Sequence, residues 1–190
     1  MTRIFFYFFI GAVALLGLYV ALTALYDVAR AALGAYRRYR GRRLVVCPET
    51  REYVAVEVDA AHAAATAPHG HTDLRLATCT RWPERAGCDE ACVAQIERAP
   101  EDCLVARQVN DWYAARACVY CGAEFGPVNW HEHAPALRAP DGRTVQWTEV
   151  APERLPEIFR THQPVCWNCH VAQSFRAAHA DIVVERPWVH

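Results

Sequence analysis

The chain opens with a run of uncharged, mostly apolar residues from Ile4 to Tyr26. At about 1.5 Å per residue, a helix of this length reaches roughly 34 Å, enough to cross a hydrocarbon core of about 30 Å. Arg3 precedes the run. Six arginines follow it: Arg30, Arg37, Arg38, Arg40, Arg42 and Arg43. By the positive-inside rule, this pattern predicts a single-pass anchor that contacts the bilayer through residues 4–26 and leaves the C-terminal part in the cytoplasm.

A cleaved signal peptide is the main alternative for this segment, because Ala29-Arg30-Ala31 fits a small-x-small cleavage site. The apolar region of a signal peptide is about 7–15 residues long, and its positive charges precede that region. Here the run is longer and the charges follow it, so a retained anchor is predicted. A buried helix of a soluble protein is the third alternative.

After the anchor, the hydrophobic pattern predicts an α+β domain built from short elements. Two β-like runs, at residues 44–48 and 53–58, flank a turn and form a plausible hairpin. Helical patterns then cover residues 89–98 and 103–116, after a loose helix or linker over residues 60–73.

The last third of the chain has a clearer predicted order. Two extended runs flank the turn Pro140-Asp141-Gly142, a short helix covers residues 156–162, and a longer helix reaches about His179. We therefore divide the chain into an anchor with a basic juxtamembrane helix (1–43), a cysteine-containing hairpin with helices (44–117) and a metal module (118–190).

Charge is distributed unevenly along the chain. Residues 1–43 carry seven arginines against Asp27, a balance of +6, whereas residues 44–190 carry 13 arginines against 20 acids, a balance of −7. An acidic domain lacks the basic face that phosphate binding requires, so no nucleic-acid partner is expected. All 20 basic residues are arginine. With so much alanine, this suggests a GC-rich bacterial genome, hence a bacterial inner membrane.

Two Cys-x-x-Cys pairs are the strongest chemical signal. Cys118 and Cys121 form the first pair, and Cys166 and Cys169 form the second. In a reducing cytoplasm such thiols are metal ligands more often than disulfides, and zinc prefers four ligands in a tetrahedron. Gly122 permits a tight turn after the first pair, and the second pair begins a predicted helix. These four cysteines are therefore predicted to bind zinc.

The order of a turn-borne pair, a β-hairpin and a pair entering a helix resembles the treble-clef or zinc-ribbon fold group over residues 118–179. The resemblance implies a small treble-clef-like module stapled by metal and specifies no function.

Two other resemblances concern the same residues. Cys166-Trp-Asn-Cys169-His170 matches the haem-attachment signature of c-type cytochromes, which would require an exported domain. The segment Trp130-His131-Glu132-His133-Ala134-Pro135, with His170 as a further ligand, resembles HNH nucleases, although no Asn occupies the middle of the motif and only Gln146 lies nearby.

The N-terminal cysteines form a looser set. Cys88 and Cys92 are four residues apart and would share a face if they lay on one helix. With Cys47 and Cys79 they can form a second four-thiolate site for zinc or an iron–sulfur cluster. Buried thiols that bind no metal are the alternative, and Cys103 is a weaker candidate for the same group.

No phosphate-binding glycine loop, nucleophile elbow or telling carboxylate pair occurs in the sequence. The predicted function is therefore a membrane-anchored protein that binds one or two zinc ions and presents a surface to a protein partner. Trp130, Trp147 and Trp167 are candidate contact residues. The alternatives are an iron–sulfur or haem redox protein and an HNH-like nuclease.

Overall fold

The protein is described by a computed structural model that covers residues 2–82, 84, 85, 87–114, 116–128, 130 and 132–180. Helices and strands are mixed, as expected for the α+β class, and an apolar helix lies at the N-terminus. Packing divides the chain into two compact units. The first contains the chain up to Arg42 and Val56–Glu101, and the second contains Arg43–Ala55 and the chain from Asp102. The division at residues 44 and 118 stays a prediction.

The described elements agree with most of the sequence pattern. The helices are α1 (Thr2–Tyr39), α2 (Ala60–Thr66), α3 (Val93–Arg98), α4 (Val105–Ala114), α5 (Leu155–Thr161) and α6 (Trp167–Ala178). The strands are β1 (Arg42–Val46), β2 (Tyr53–Val58), β3 (Leu76–Cys79), β4 (Ala136–Arg138), β5 (Thr144–Val145) and β6 (Gln163–Val165). The predicted hairpin and the long C-terminal helix are among the elements confirmed.

In the first unit, α1 is one uninterrupted helix. Within Phe9–Tyr39, the most apolar window of 18 residues has a mean hydropathy of 2.1 and none of that window is buried, so α1 is apolar enough to span a membrane. The last turns of α1 pack against α2, where Ala35 and Tyr39 are buried. Gly41 follows with φ of 97°, a conformation that favours glycine, and the helix ends there.

The helix predicted from residue 89 begins later, at Val93. Glu90 has φ of 54°, and its carboxylate accepts a hydrogen bond from the Leu76 backbone N–H at 2.9 Å. This anchoring to β3 holds residue 90 out of a helical conformation. Cys88 therefore precedes the helix, and the expectation that it shares a helical face with Cys92 is wrong.

The second unit has a core formed by α4, α5, β1 and β4. Val109, Trp112 and Tyr113 on α4 are buried. They pack with Leu44, Leu137, Leu155 and Ile158. The strands of its C-terminal sheet are ordered β5–β4–β6, with antiparallel pairing of Ala136 with Val165. This sheet brings β6, which leads into the second cysteine pair, beside β4.

The tryptophans proposed as contact residues are placed differently from one another. Trp147 and Trp130 are partly buried against the core of the second unit, and the Trp130 indole N–H donates to Asn110 Oδ1 at 2.8 Å. Trp147 also stands edge-on to the Trp112 ring, with 6.3 Å between centroids. Trp130 and Trp147 thus serve packing, while Trp167 lies half-buried at the start of α6.

Candidate metal centre

The first cysteine pair lies on a tight turn after α4. Cys118 donates its backbone N–H to the Ala123 carbonyl at 2.8 Å, and Gly122 donates to the Cys118 carbonyl at 2.8 Å. Gly122 has φ of 72°, so glycine is the residue that fits there without strain. The Val119 N–H donates to the Pro164 carbonyl at 3.0 Å, which joins this turn to β6. The turn therefore presents both sulfurs toward the end of that strand.

The second pair begins α6 directly after β6. Cys166 is the extended residue that precedes the helix, and Cys169 lies in its first turn. The His170 N–H donates to the Cys166 carbonyl at 2.9 Å, which closes that turn. Helix geometry thus holds the two sulfurs of this pair on the side that faces Cys118 and Cys121.

The four C-terminal cysteines come together in one group. Their Sγ atoms all lie within 4.8 Å of one another, and Cys121 Sγ is 3.7 Å from Cys166 Sγ. One tetrahedral ion bonded to four sulfurs at about 2.3 Å would separate those sulfurs by about 3.8 Å. A disulfide requires only about 2.05 Å, so the spacing fits thiols around an ion. The four cysteines can therefore hold a metal ion.

The electrostatics of the group favour a thiolate at Cys118. Its side chain is only 2% exposed, and burial alone would raise its pKa. Backbone N–H groups of Cys166, Cys121 and Tyr120 outweigh burial and lower the pKa of Cys118 to about 6. The Cys166 N–H lies 3.3 Å from Cys118 Sγ. Donors fixed in both turns thus prepare one anionic sulfur.

In the second pair, the pKa values of the thiols are shifted in the opposite direction. Burial and then the neighbouring thiols raise the pKa of Cys169, and burial raises the pKa of Cys166. Several negative charges this close repel one another without a cation between them. A bound divalent cation would remove that penalty and hold all four sulfurs as thiolates.

His170 directly follows Cys169 in the sequence and lies next to this group. It is 6% exposed, and its Nε2 is 3.1 Å from the Gln146 side-chain nitrogen. Burial lowers the pKa of His170. The imidazole therefore packs and forms a hydrogen bond beside the cysteines, and the haem-ligand role implied by the Cys166–His170 signature stays a prediction.

The residues of the HNH resemblance are only partly described. His131 lies outside the described residues. His133 stands edge-on to Trp167 with 6.3 Å between ring centroids, and Trp167 lies 6.0 Å from the His170 ring. Gln146 contacts His170, as noted above. The two histidines thus flank one tryptophan near the cysteines.

The N-terminal cysteines are spread over both units. Cys47 lies in the turn after β1, where its carbonyl accepts the Arg51 N–H at 2.8 Å. Cys79 ends β3, Cys88 lies in the following loop, and Cys92 is buried just before α3. Cys47 belongs to the second unit and the other three belong to the first. A second metal site at these residues stays a prediction.

One structural contributor to the centre had no signal in the sequence. Phe125 packs both against the core of the second unit and against the smaller cluster of Cys118, Ala136 and Val165. It therefore couples the cysteine group to the main core. Its role depends on a long-range contact that local spacing does not encode.

Comparisons of the chain with protein-family models, with curated proteins and with solved structures found no match.

Proposed function

We propose that this chain is a membrane-anchored zinc-binding protein, in which one zinc ion staples a treble-clef-like module that a protein partner recognises. The observation that carries the proposal is the convergence of Cys118, Cys121, Cys166 and Cys169 within 4.8 Å. Four thiolates suit zinc, and their tight spacing suits one ion better than a cluster that contains several iron and sulfide ions.

The order of elements supports the treble-clef-like interpretation. A tight turn carries the first pair, β4 and β5 form a hairpin, and α6 begins with the second pair. Each half of the site depends on the other, since the two turns are joined by the Val119–Pro164 hydrogen bond and by β6. A shared ion would therefore contribute directly to the folding of the second unit.

The anchor supports a location at a bacterial inner membrane with the domain in the cytoplasm. Helix α1 has an apolar window of 18 residues that is not buried, and arginines cluster at its C-terminal end. Anionic lipid headgroups attract such a cluster. A tethered domain reaches a high local concentration for any partner in the same membrane, so weak docking suffices for function.

Exposed apolar side chains beside the cysteines support a docking surface. Val119 and Tyr120, on the turn of the first pair, are each 37% exposed, and Val171 and Phe175 on α6 are 47% and 55% exposed. Val171 and Phe175 are four residues apart and lie on one face of α6. The ion would hold the turn and the helix that present these residues. The docking surface is thus defined as Val119, Tyr120, Val171 and Phe175.

Metal analysis of the purified full chain tests the proposal. We expect about one zinc per chain if the C-terminal four bind an ion, and about two if Cys47, Cys79, Cys88 and Cys92 form a second site. Cys118→Ser should remove one equivalent, whereas Cys103→Ser should remove none. A chain that folds and binds no zinc, or that carries coloured iron, would contradict the zinc assignment.

The nuclease remains an alternative because His133 and His170 both contact Trp167, and Gln146 contacts His170. Its test is plasmid nicking by the wild-type chain and by His133→Ala. Nicking that depends on His133 would favour this alternative, and its absence with zinc bound would favour the interaction module.

A further inference from the structure

The four cysteines of the metal centre differ in their access to solvent. Cys118 is buried, whereas Cys121 is exposed and Cys166 is half-buried. Cys166 also lines an open cavity of about 350 Å³ with Trp167, Asn168 and His133. Small solutes can therefore reach Cys121 and Cys166 while Cys118 stays shielded.

Resting on the proposed zinc site, we propose that Cys121 and Cys166 are an oxidation site, at which a peroxide forms a disulfide between the two turns and releases the zinc ion. The two sulfurs are 3.7 Å apart, so an approach of about 1.7 Å brings them to disulfide distance. One of the two lies on each turn. The product would therefore join the first pair to the second rather than close a ring within either pair.

The chemistry balances with hydrogen peroxide as the oxidant. The Cys121 thiolate attacks one peroxide oxygen, the O–O bond breaks, and hydroxide leaves, which yields a sulfenic acid at Cys121. The Cys166 thiolate then attacks the Cys121 sulfur, the S–O bond breaks, and a second hydroxide leaves. Solvent protons convert both hydroxides to water. The two thiolates have lost two electrons to the peroxide.

Zinc release follows from the loss of two ligands. Only Cys118 and Cys169 would remain as thiolates, and zinc needs four ligands in a structural site. The new disulfide would link the same two turns that the ion had joined, so the second unit is expected to stay folded after oxidation. Thiol–disulfide exchange with a small thiol would reverse the step and restore zinc binding.

The test uses the zinc-loaded full chain in detergent. Peroxide is added, released zinc is followed with a chromophoric chelator, remaining thiols are blocked, and the chain is digested with trypsin. Cleavage after arginine places the first pair in residues 117–138 and the second in residues 161–176. A disulfide between the turns then appears as one cross-linked product, and fragmentation assigns its sulfurs.

The expected result is release of one zinc per chain together with the Cys121–Cys166 cross-link. The inference would be overturned by any of three results. These are two separate peptides that each contain an internal disulfide, sulfinic acids without a disulfide, or zinc that stays bound under excess peroxide. Absence of zinc before any peroxide is added would instead contradict the proposed function, so the two failures are distinguishable.

A conservative variant at Cys121 keeps the inference testable if Cys121→Ser does not fold. Cys121→His replaces one zinc ligand by another and cannot form the disulfide, so we expect weaker zinc binding and, from the zinc-loaded variant, peroxide-driven release that is slower by about tenfold or more. Cys103→Ser should leave the release rate unchanged. Equal release rates in Cys121→His and the wild type would show that Cys121 is not the site of attack.

Discussion

Tyr113→Phe removes one buried hydroxyl that links the core to the metal module. The Tyr113 side chain is fully buried, and its hydroxyl donates to the Ala136 carbonyl at 2.7 Å. The same oxygen accepts the Trp147 indole N–H at 3.0 Å. Ala136 in turn packs beside Cys118 and Val165. The substitution keeps the ring and deletes both hydrogen bonds.

The expected cost follows from the two groups left behind. A buried donor or acceptor without its partner costs about 1–3 kcal/mol. Trp147 is half-buried and its indole N–H can donate to water instead, so the total loss in the free energy of unfolding should be about 2–3 kcal/mol. For a chain of this size each kcal/mol lowers the Tm by roughly 2–4 °C, which predicts a decrease of about 4–12 °C.

Thermal unfolding of the zinc-loaded protein, followed by near-ultraviolet circular dichroism, measures this decrease. Tyr120→Phe is the matched control, because Tyr120 is 37% exposed and keeps its ring under Arg138. We expect the control to change stability by less than about 0.5 kcal/mol. A loss in Tyr113→Phe no larger than in the control would refute the bridging role of the hydroxyl. Zinc content should be the same in both variants.

Three further predictions concern the metal-free state, the topology and the docking surface. The pKa of Cys118 is lowered from 9.0 to about 6, so the Cys118 thiolate stabilises the metal-free fold fully above pH 9, and this stabilisation is lost as the pH falls to about 6. The Tm of the metal-free chain should therefore decrease as the pH is lowered over this range. A Tm that stays constant or rises would contradict the role of the backbone donors. A C-terminal fusion to green fluorescent protein should fluoresce and a fusion to alkaline phosphatase should be inactive, since the positive-inside rule keeps the domain in the cytoplasm; active phosphatase would refute this topology. A photoactivatable phenylalanine analogue at Phe175 should form a discrete adduct with a protein partner in membranes, whereas the same analogue at the partly buried Phe159 should not. Equal labelling at both positions would argue against a docking surface on α6.

Local spacing in the sequence was sufficient to predict which four cysteines come together at the candidate metal centre. Two Cys-x-x-Cys pairs, a glycine after the first and a helix after the second specify turns whose geometry depends on nearby residues alone. The hairpin around Asp141 and the apolar face of α4 were predictable for the same reason, since turn residues and helical periodicity are local signals.

Features that depend on distant contacts were not predictable in this way. The start of α3 is displaced because Glu90 binds the Leu76 backbone, 14 residues away. Trp147 belongs to the core because its indole reaches Tyr113, a pairing separated by 34 residues. The exposure of Cys121 beside a buried Cys118 likewise depends on packing against β6 and Phe125, which no motif encodes.

The central claim is that one tetrahedral ion is held by Cys118, Cys121, Cys166 and Cys169, and X-ray absorption at the zinc edge tests it most directly. For the chain with Cys47 and Cys79 replaced by serine, we predict zinc surrounded by four sulfur atoms at about 2.3 Å. A first shell that contains nitrogen or oxygen, or fewer than four sulfurs, would contradict the account.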